Sequence, residues 1–159
     1  MGRPLRLHLG CGPRRWPGFV NVDIDQGDVV SDVRSLPYEA GSVDEIQAIH
    51  LFEHLPRWEA GAALAHWHRL LKPGGLLVLE MPCFDKIMRM YAEGERDPRM
   101  LQWGLFGDPK YRNLAMMHGW CWSEKELMEE AAQCQFSRLR FTEPKFHHKR
   151  RDMRMEAVK

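Results

Sequence analysis

The chain has 159 residues, of which 44% are hydrophobic and 28% are charged, and this composition is typical of a single globular domain. The net charge of +1 argues against a general nucleic-acid surface, so nucleic acid is not expected as a partner. No apolar run approaches the roughly 20 residues of a membrane helix, and the start lacks a signal peptide's apolar stretch, so no membrane association is expected. Four scattered cysteines without a CxxC pair indicate reduced thiols and predict a cytoplasmic protein.

Strand and turn signals alternate over the first fifty residues. Leu5, Leu7 and Leu9 alternate with polar residues, which predicts a strand that ends at the turn Gly10-Cys11-Gly12-Pro13. Further strands are predicted at residues 19–22, 28–30 and 43–49.

A helix and a buried strand follow. From Trp58 to Leu71 the apolar residues recur at helical spacing, and Lys72-Pro73-Gly74-Gly75 ends the predicted helix. Residues 76–81 form a near-continuous apolar run, which is typical of a strand covered on both faces. Strands that alternate with a helix predict a parallel sheet with crossovers.

The second half is less regular. Two short helices are predicted over residues 85–92 and 98–105. Ser123 and Glu126 have the spacing of a capping box, which opens a further helix that ends near Cys134. Two strands of period two and a basic loop between them complete the chain, at residues 137–141, 153–157 and 145–151.

The turn at Gly10-x-Gly12 allows a ligand to approach the backbone, because glycine lacks a Cβ and tolerates positive φ. The dinucleotide-binding fingerprint is G-x-G-x-x-G, and this chain has Arg15 at the third glycine. The fingerprint also needs an acidic residue about 20 positions after the glycine turn. Asp23 follows Gly12 by only eleven positions. Both departures argue against a nicotinamide-dependent oxidoreductase.

The same residues suit a nucleoside without phosphates. The carboxylate of Asp23 can accept hydrogen bonds from a ribose diol. Asp32 and Val33 can meet the amino group and a ring nitrogen of adenine. Amides of the glycine turn can bind an amino-acid carboxylate. A ligand with all three parts is S-adenosylmethionine.

Four motifs in order resemble those of the class I S-adenosylmethionine-dependent methyltransferases, and above all a small, largely uncharacterised subgroup of them. They are Leu7-His8-Leu9-Gly10-Cys11-Gly12, Val22-Asp23-Ile24, Ser31-Asp32-Val33, and the stretch from Ser42-Val43-Asp44 to Leu71-Lys72-Pro73-Gly74-Gly75. The resemblance covers residues 5–82, and the last helix and strand pair are similar to the family's closing elements. It implies an α/β fold with a Rossmann-like open sheet, mostly parallel, whose last strand is antiparallel.

The resemblance also implies an organisation and a reaction. The single domain 1–159 would comprise a donor-binding half (1–82), an acceptor-facing insert (83–122), and a closing helix with an antiparallel strand pair (123–159). A small-molecule acceptor would attack the methyl group of S-adenosylmethionine in line. The residues expected to bind this cofactor are Gly10, Cys11, Gly12, Asp23, Ile24, Asp32, Val33 and His50.

Two histidines are the candidate catalytic residues. His50 would lie at the carboxyl end of the fourth strand, where open sheets bind ligands, and could contact the donor or act as a base. His118 is the second candidate, although a histidine packed beneath aromatic residues is an equal alternative. Two other functions stay open: a non-catalytic module that binds a nucleoside or a partner, and a zinc peptidase, because His50-Leu51-Phe52-Glu53-His54 matches H-x-x-E-H. No metal site is predicted for the methyltransferase.

The first crossover departs from the family pattern. Only Gly10–Gly18 separates the first two strands, whereas a parallel crossover usually needs a dozen or more residues. We therefore predict a turn in place of a helix, which leaves one face of the sheet thinly covered. Trp16 is predicted to fold over that face, and a second subunit in a homodimer is the alternative cover.

Overall fold

The computed structural model describes residues 3–159 and holds a seven-stranded sheet. The strands are β1 (Arg6–Leu9), β2 (Val20–Asp23), β3 (Val29–Val30), β4 (Val43–Ile49), β5 (Leu71–Pro82), β6 (Ser137–Thr142) and β7 (Asp152–Val158). They lie in the order β3-β2-β1-β4-β5-β7-β6. The strands from β3 to β5 are parallel, and β7 is antiparallel to both of its neighbours. The predicted α/β fold with an open, mostly parallel sheet is confirmed.

Four α-helices accompany the sheet: α1 (Arg57–Leu70), α2 (Phe84–Ala92), α3 (Gln102–Phe106) and α4 (Glu124–Gln133). The predicted capping box opens α4, since the Ser123 side chain accepts from the Glu126 amide and Glu126 reaches back to the Ser123 amide. Helix α3 begins later than predicted, because residues 98–101 form turns in which the amides of Met100 and Leu101 donate to the Asp97 carbonyl.

One face of the sheet carries the hydrophobic core. Leu7 and Leu9 of β1 are fully buried there together with apolar residues of α1 and α4. The stripe predicted for α1 lies on this face, and its Trp67 is wholly buried. The indole Nε1 of Trp67 donates to the Val33 carbonyl at 2.8 Å, which fastens α1 to the turn after β3.

The opposite face is polar, and the shortened first crossover is confirmed there. Residues 10–19, all of which the structure describes, form turns and contain no helix. The ring of Trp16 stacks on His8 of β1, with centroids 3.8 Å apart, and also on Phe146, at 5.1 Å. The structure thus places Trp16 over the sheet as predicted, and cover by a second subunit stays a prediction.

A buried carboxylate in β5 anchors the loop between β6 and β7. Glu80 accepts from the amides of Lys145 and Phe146, at 2.9 and 2.7 Å, and pairs with Arg154 of β7 at 3.1 Å. This anchor holds residues 143–151 across the polar face, and so brings His147 and His148 to the sheet edge where β4 ends.

Within residues 3–159, the helices are all too short or too polar to cross a bilayer.

Candidate functional site

The carboxyl ends of four parallel strands place most of the predicted site residues at one edge of the sheet. Gly10 follows β1, Asp23 ends β2, Asp32 follows β3, and His50 follows β4. Because parallel strands end on the same side, these residues share one edge, which is where open α/β sheets bind ligands.

The glycine turn after β1 needs both of its glycines. Gly10 has a φ of +65°, and a Cβ there would lie 2.7 Å from Cδ1 of Leu51. Gly12 has a φ of +51°, but a Cβ there would point into open space. The first glycine therefore permits close packing of the turn on the segment after β4, and the second leaves room on the outer side for a ligand.

Asp23 holds the turn from the next strand. Its Oδ2 accepts from the Gly12 amide at 2.7 Å, and its Oδ1 accepts from the Ile24 amide at 2.8 Å. The side chain of Ile24 beside it is 64% exposed, so an apolar surface adjoins the carboxylate. Cys11 is buried and its amide donates to the Val22 carbonyl, which leaves its side chain a packing role within the turn.

Asp32 and Val33 lie farther along the edge. The Asp32 carboxylate caps a 3-10 turn (Val33–Ser35) by accepting from the Arg34 amide, and it also pairs with the Arg34 guanidinium at 2.6 Å. This pairing lowers the pKa of the Asp32 carboxyl, mainly through the side-chain hydrogen bond from Arg34. The contact of Asp32 with adenine stays a prediction, and the side chain of Val33 is buried.

His50 is held between two buried carboxylates. Its Nδ1 lies 3.1 Å from Oε1 of Glu53, and its Nε2 lies 3.2 Å from Oδ2 of Asp152, an ion-pair distance without hydrogen-bond alignment. Burial alone would lower the pKa of His50, but the two carboxylates outweigh it and raise the pKa to about 9. At neutral pH the ring is an imidazolium without a free lone pair, so this geometry favours a positioning role for His50 over that of a base.

A cavity of about 360 Å³ opens beside His50. It combines side chains from the segment after β4, the insert 83–122 and the loop 143–151. We call it the acceptor cavity; its lining residues are His50, Glu53, His54, Trp103, Asp108, Lys110, Tyr111, Met116, His118, His147, His148 and Arg151.

Two lining histidines are held neutral. Burial lowers the pKa of His118, whose Nδ1 lies 3.0 Å from the Gly104 carbonyl. Burial, and next the positive charge of His50, lower the pKa of His147 to about 4. A neutral imidazole keeps one nitrogen lone pair, so both rings can accept a hydrogen bond in this cavity, and the lowered pKa values make both rings weak bases.

Comparison with known proteins bears on this site. A family model for a methyltransferase domain matches residues 7–79, which run from β1 through β5 and include the glycine turn, Asp23 and His50. The match covers somewhat less than half of the chain, so these residues are similar to a methyltransferase domain. This similarity supports the resemblance inferred from the motifs.

Solved methyltransferases share the fold of the whole chain. One from Methanosarcina mazei is 18% identical and superposes with a TM-score of 0.69, over 100% of this chain and 94% of that one. One from Archaeoglobus fulgidus is 14% identical, with a TM-score of 0.68 over 99% and 87%. A protein of Streptomyces fradiae, described as an uncharacterized 37.1 kDa protein in a transposon, is 32% identical over 82 residues. The chain spans 22% of the length of that relative.

The site includes groups that the motifs did not reveal. Arg151 lines the cavity just before β7, and it pairs at 2.6 Å with Asp152, the first residue of β7. His147 lies against His50, with ring centroids 4.1 Å apart, although the sequence predicted only a basic loop over residues 145–151. The signal that could have found it is the pair His147-His148 beside basic residues, which by itself is typical of exposed loops.

The zinc-peptidase pattern is not formed in this fold. That pattern needs both histidines on one helical face, whereas Phe52–His54 is a single 3-10 turn and His50 precedes it. His50 turns instead toward Glu53 and Asp152, in a backbone conformation with a φ of +53°.

Proposed function

We propose that this chain transfers the methyl group of S-adenosylmethionine to a small molecule bound in the acceptor cavity. The observation that carries the proposal is the shared edge of the sheet: the contact between Gly12 and Asp23 lies after β1 and β2, and the cavity opens after β4. When bound, the donor supplies an activated methyl group, so the protein has mainly to align the reactants and exclude water.

The donor end would hold the nucleoside. Asp23 has both carboxylate oxygens on backbone amides, and its remaining lone pairs can accept from two ribose hydroxyls. The exposed side chain of Ile24 can cover one face of the adenine, because a buried aliphatic contact favours a flat apolar ring. The open space beside Gly12 would take the amino-acid end.

The acceptor end offers both charge and proton acceptors. Lys110 and Arg151 supply positive charge, and Asp108 supplies negative charge. His118 and His147, which are neutral, can take the proton that an oxygen or nitrogen nucleophile loses during attack. This lining suits a polar acceptor, and the net charge of only +1 disfavours a nucleic-acid acceptor.

Donor binding tests the proposal directly. We expect isothermal titration with S-adenosylhomocysteine to give one site, and Asp23→Asn to weaken it at least about tenfold, because one charge-assisted pair of hydrogen bonds is lost. Asp25→Asn, an exposed carboxylate two residues on, is the matched control and should bind as the unmodified chain does. Equal affinity of all three proteins would remove Asp23 from the ribose role.

The alternative of a non-catalytic binding module needs a separate measurement. The chain is incubated with labelled S-adenosylmethionine and panels of hydroxyl, amine and carboxylate acceptors, and S-adenosylhomocysteine is counted. If the chain transfers methyl groups and His118→Ala reduces the rate, the result supports the proposed enzymatic activity. Tight donor binding with no transfer on any panel would favour the module.

A further inference from the structure

Three side chains converge on the inner wall of the acceptor cavity. One of them, His118, is also a proton acceptor in the methyl-transfer proposal, and an ion on its one free lone pair would leave that role to His147. Glu53 and His54 belong to the turn after β4, and His118 comes from the insert. Each offers one ligand atom, and the three atoms lie within 4.8 Å of one another. Two imidazoles and one carboxylate are a ligand set that Zn²⁺ and similar ions bind.

The hydrogen bonds of the two histidines fix which nitrogen is free. Nδ1 of His54 lies 3.1 Å from the Met117 carbonyl, and Nδ1 of His118 lies 3.0 Å from the Gly104 carbonyl. A carbonyl oxygen only accepts, so each Nδ1 must carry the proton, and each Nε2 keeps its lone pair. Metal-binding histidines in proteins are oriented in this way.

Glu53 provides the independent observation. Its carboxylate is 1% exposed, and while Oε1 is held by His50, Oε2 has no hydrogen-bond partner among residues 3–159. A buried carboxylate oxygen without a partner is costly, and a cation at this wall would satisfy it. The bond from His50 then acts as an outer contact that orients the ligand carboxylate.

Backbone contacts hold these side chains together in the absence of any ion. The Glu53 carbonyl accepts from the amides of Gly119 and Trp120, at 2.8 and 3.2 Å. Gly119 is required for this approach, because a Cβ there would lie 2.6 Å from the Leu55 carbonyl oxygen. The turn and the insert therefore meet at a fixed distance, as a binding site formed in advance requires.

We propose that Glu53, His54 and His118 bind a divalent transition-metal ion of the zinc class. Three protein ligands leave a coordination position open, and here it would face the acceptor cavity, where water or an acceptor oxygen can occupy it. The site differs from the zinc-peptidase pattern, since His118 replaces His50. The sequence analysis predicted no metal site. Glu53 and His54 are neighbours in the sequence, but His118 is far from them and comes close only in the folded chain.

Metal titration tests the site. Protein freed of metal with a chelator is titrated with Zn²⁺ by calorimetry, and we expect one equivalent to bind. His118→Ala and Glu53→Gln should each weaken binding at least about 100-fold, because loss of an outer contact alone costs 10- to 100-fold. His148→Ala is the matched control, since His148 lines the same cavity and lies outside the ligand set, and it should bind Zn²⁺ as the unmodified chain does.

The opposite results would overturn the site. An unmodified chain that binds no stoichiometric Zn²⁺, or a Glu53→Gln variant that binds as well, contradicts it. Loss of binding in His148→Ala would place the ion among other histidines. If a variant fails to fold, the Co²⁺ spectrum of the unmodified chain decides: intense visible bands of a four- or five-coordinate site are expected, and a weak six-coordinate spectrum contradicts the proposal. Donor affinity is measured separately, so either proposal can fail alone.

Discussion

At the scale of single residues, Gly10 meets two steric requirements at once. Its φ of +65° disfavours a side chain, and Leu51 occupies the space that a Cβ would take. Gly41 has nearly the same φ, +68°, with open space around it. The two positions therefore separate backbone strain from packing.

We predict that Gly10→Ala destabilises the fold more than Gly41→Ala. In both variants the left-handed backbone conformation lowers the free energy of unfolding by about 1 kcal/mol. In Gly10→Ala, overpacking against Leu51 lowers it by about 1–3 kcal/mol more. Urea unfolding of the two variants measures the difference. Equal losses would show that Leu51 moves aside freely.

The buried carboxylate of Asp152 should contribute to the stability of the fold in acid. Burial raises the pKa of its carboxyl, but His50 and Arg151 lower it further, to about 2. The unfolded value is 3.8, so the stabilisation is complete above about pH 4 and is lost as the pH falls through 2. This stabilisation amounts to at most about 2.5 kcal/mol.

Asp152→Asn should remove this acid-sensitive part. Between pH 5 and pH 2.5 we expect the free energy of unfolding to fall less steeply in the variant than in the unmodified chain. The exposed carboxylate of Asp25 gives the control, since Asp25→Asn should leave the slope unchanged. If the unfolding free energy depends on pH with the same slope in Asp152→Asn and in the unmodified chain, the buried ion pairs of Asp152 do not contribute as predicted.

At the scale of elements, the short first crossover has no helix to cover the sheet, and the ring of Trp16 provides that cover instead. Trp16 covers His8 and touches Phe146 of the anchored loop. Trp16→Ala should therefore cost about 2–3 kcal/mol, somewhat below a fully buried tryptophan. Trp58, which is 83% exposed, serves as the control, and Trp58→Ala should change the unfolding free energy by less than about 0.5 kcal/mol. The alternative is that a second subunit covers this face of the sheet, and size-exclusion chromatography with light scattering tests it. If Trp16→Ala changes neither the stability nor the number of subunits, cover by Trp16 and cover by a second subunit are both contradicted.

Glu80 should govern the order of the loop 143–151. Glu80→Gln keeps an acceptor oxygen but removes the charge that pairs with Arg154 and holds two amides. We expect faster hydrogen exchange at Lys145 and Phe146 in this variant. Exchange in α1, on the other face, should stay as it was, and uniform acceleration would indicate a global loss of stability instead.

The elements that were predictable are those with a local signature. Helix α1 shows its apolar stripe within fourteen residues, and the cap of α4 lies in four consecutive positions. Strand β5 was predicted too short, at 76–81, because Lys72-Pro73-Gly74-Gly75 has the composition of a turn. In the fold it extends from Leu71, which pairs with Val43 before a bulge.

The glycine-turn end of the site was predictable from the sequence and the cavity end was not, for the same physical reason. The glycine turn and Asp23 are close in sequence and follow recognisable strands. Asp152 and His147 reach His50 only because Glu80, in the middle of β5, fixes the loop that precedes β7. No short pattern encodes a contact that depends on a mid-strand carboxylate.

At the scale of the whole molecule, donor binding should raise the melting temperature. Ligand at 100 times its Kd stabilises the folded state by about 2.7 kcal/mol, which corresponds to about 5–10 °C for a chain of this size. S-adenosylhomocysteine should give this shift, and Asp23→Asn should lose it. A dinucleotide such as NAD should give none, because Arg15 stands where its binding turn needs glycine.

The position of β7 has a consequence for how the chain is made. This strand comes after all the others in sequence, yet it lies inside the sheet between β5 and β6. During synthesis on the ribosome, the emerging segments up to residue 151 lack a partner for both of those edges. The nascent chain must therefore keep two unpaired strand edges from aggregating until Asp152–Val158 has left the exit tunnel.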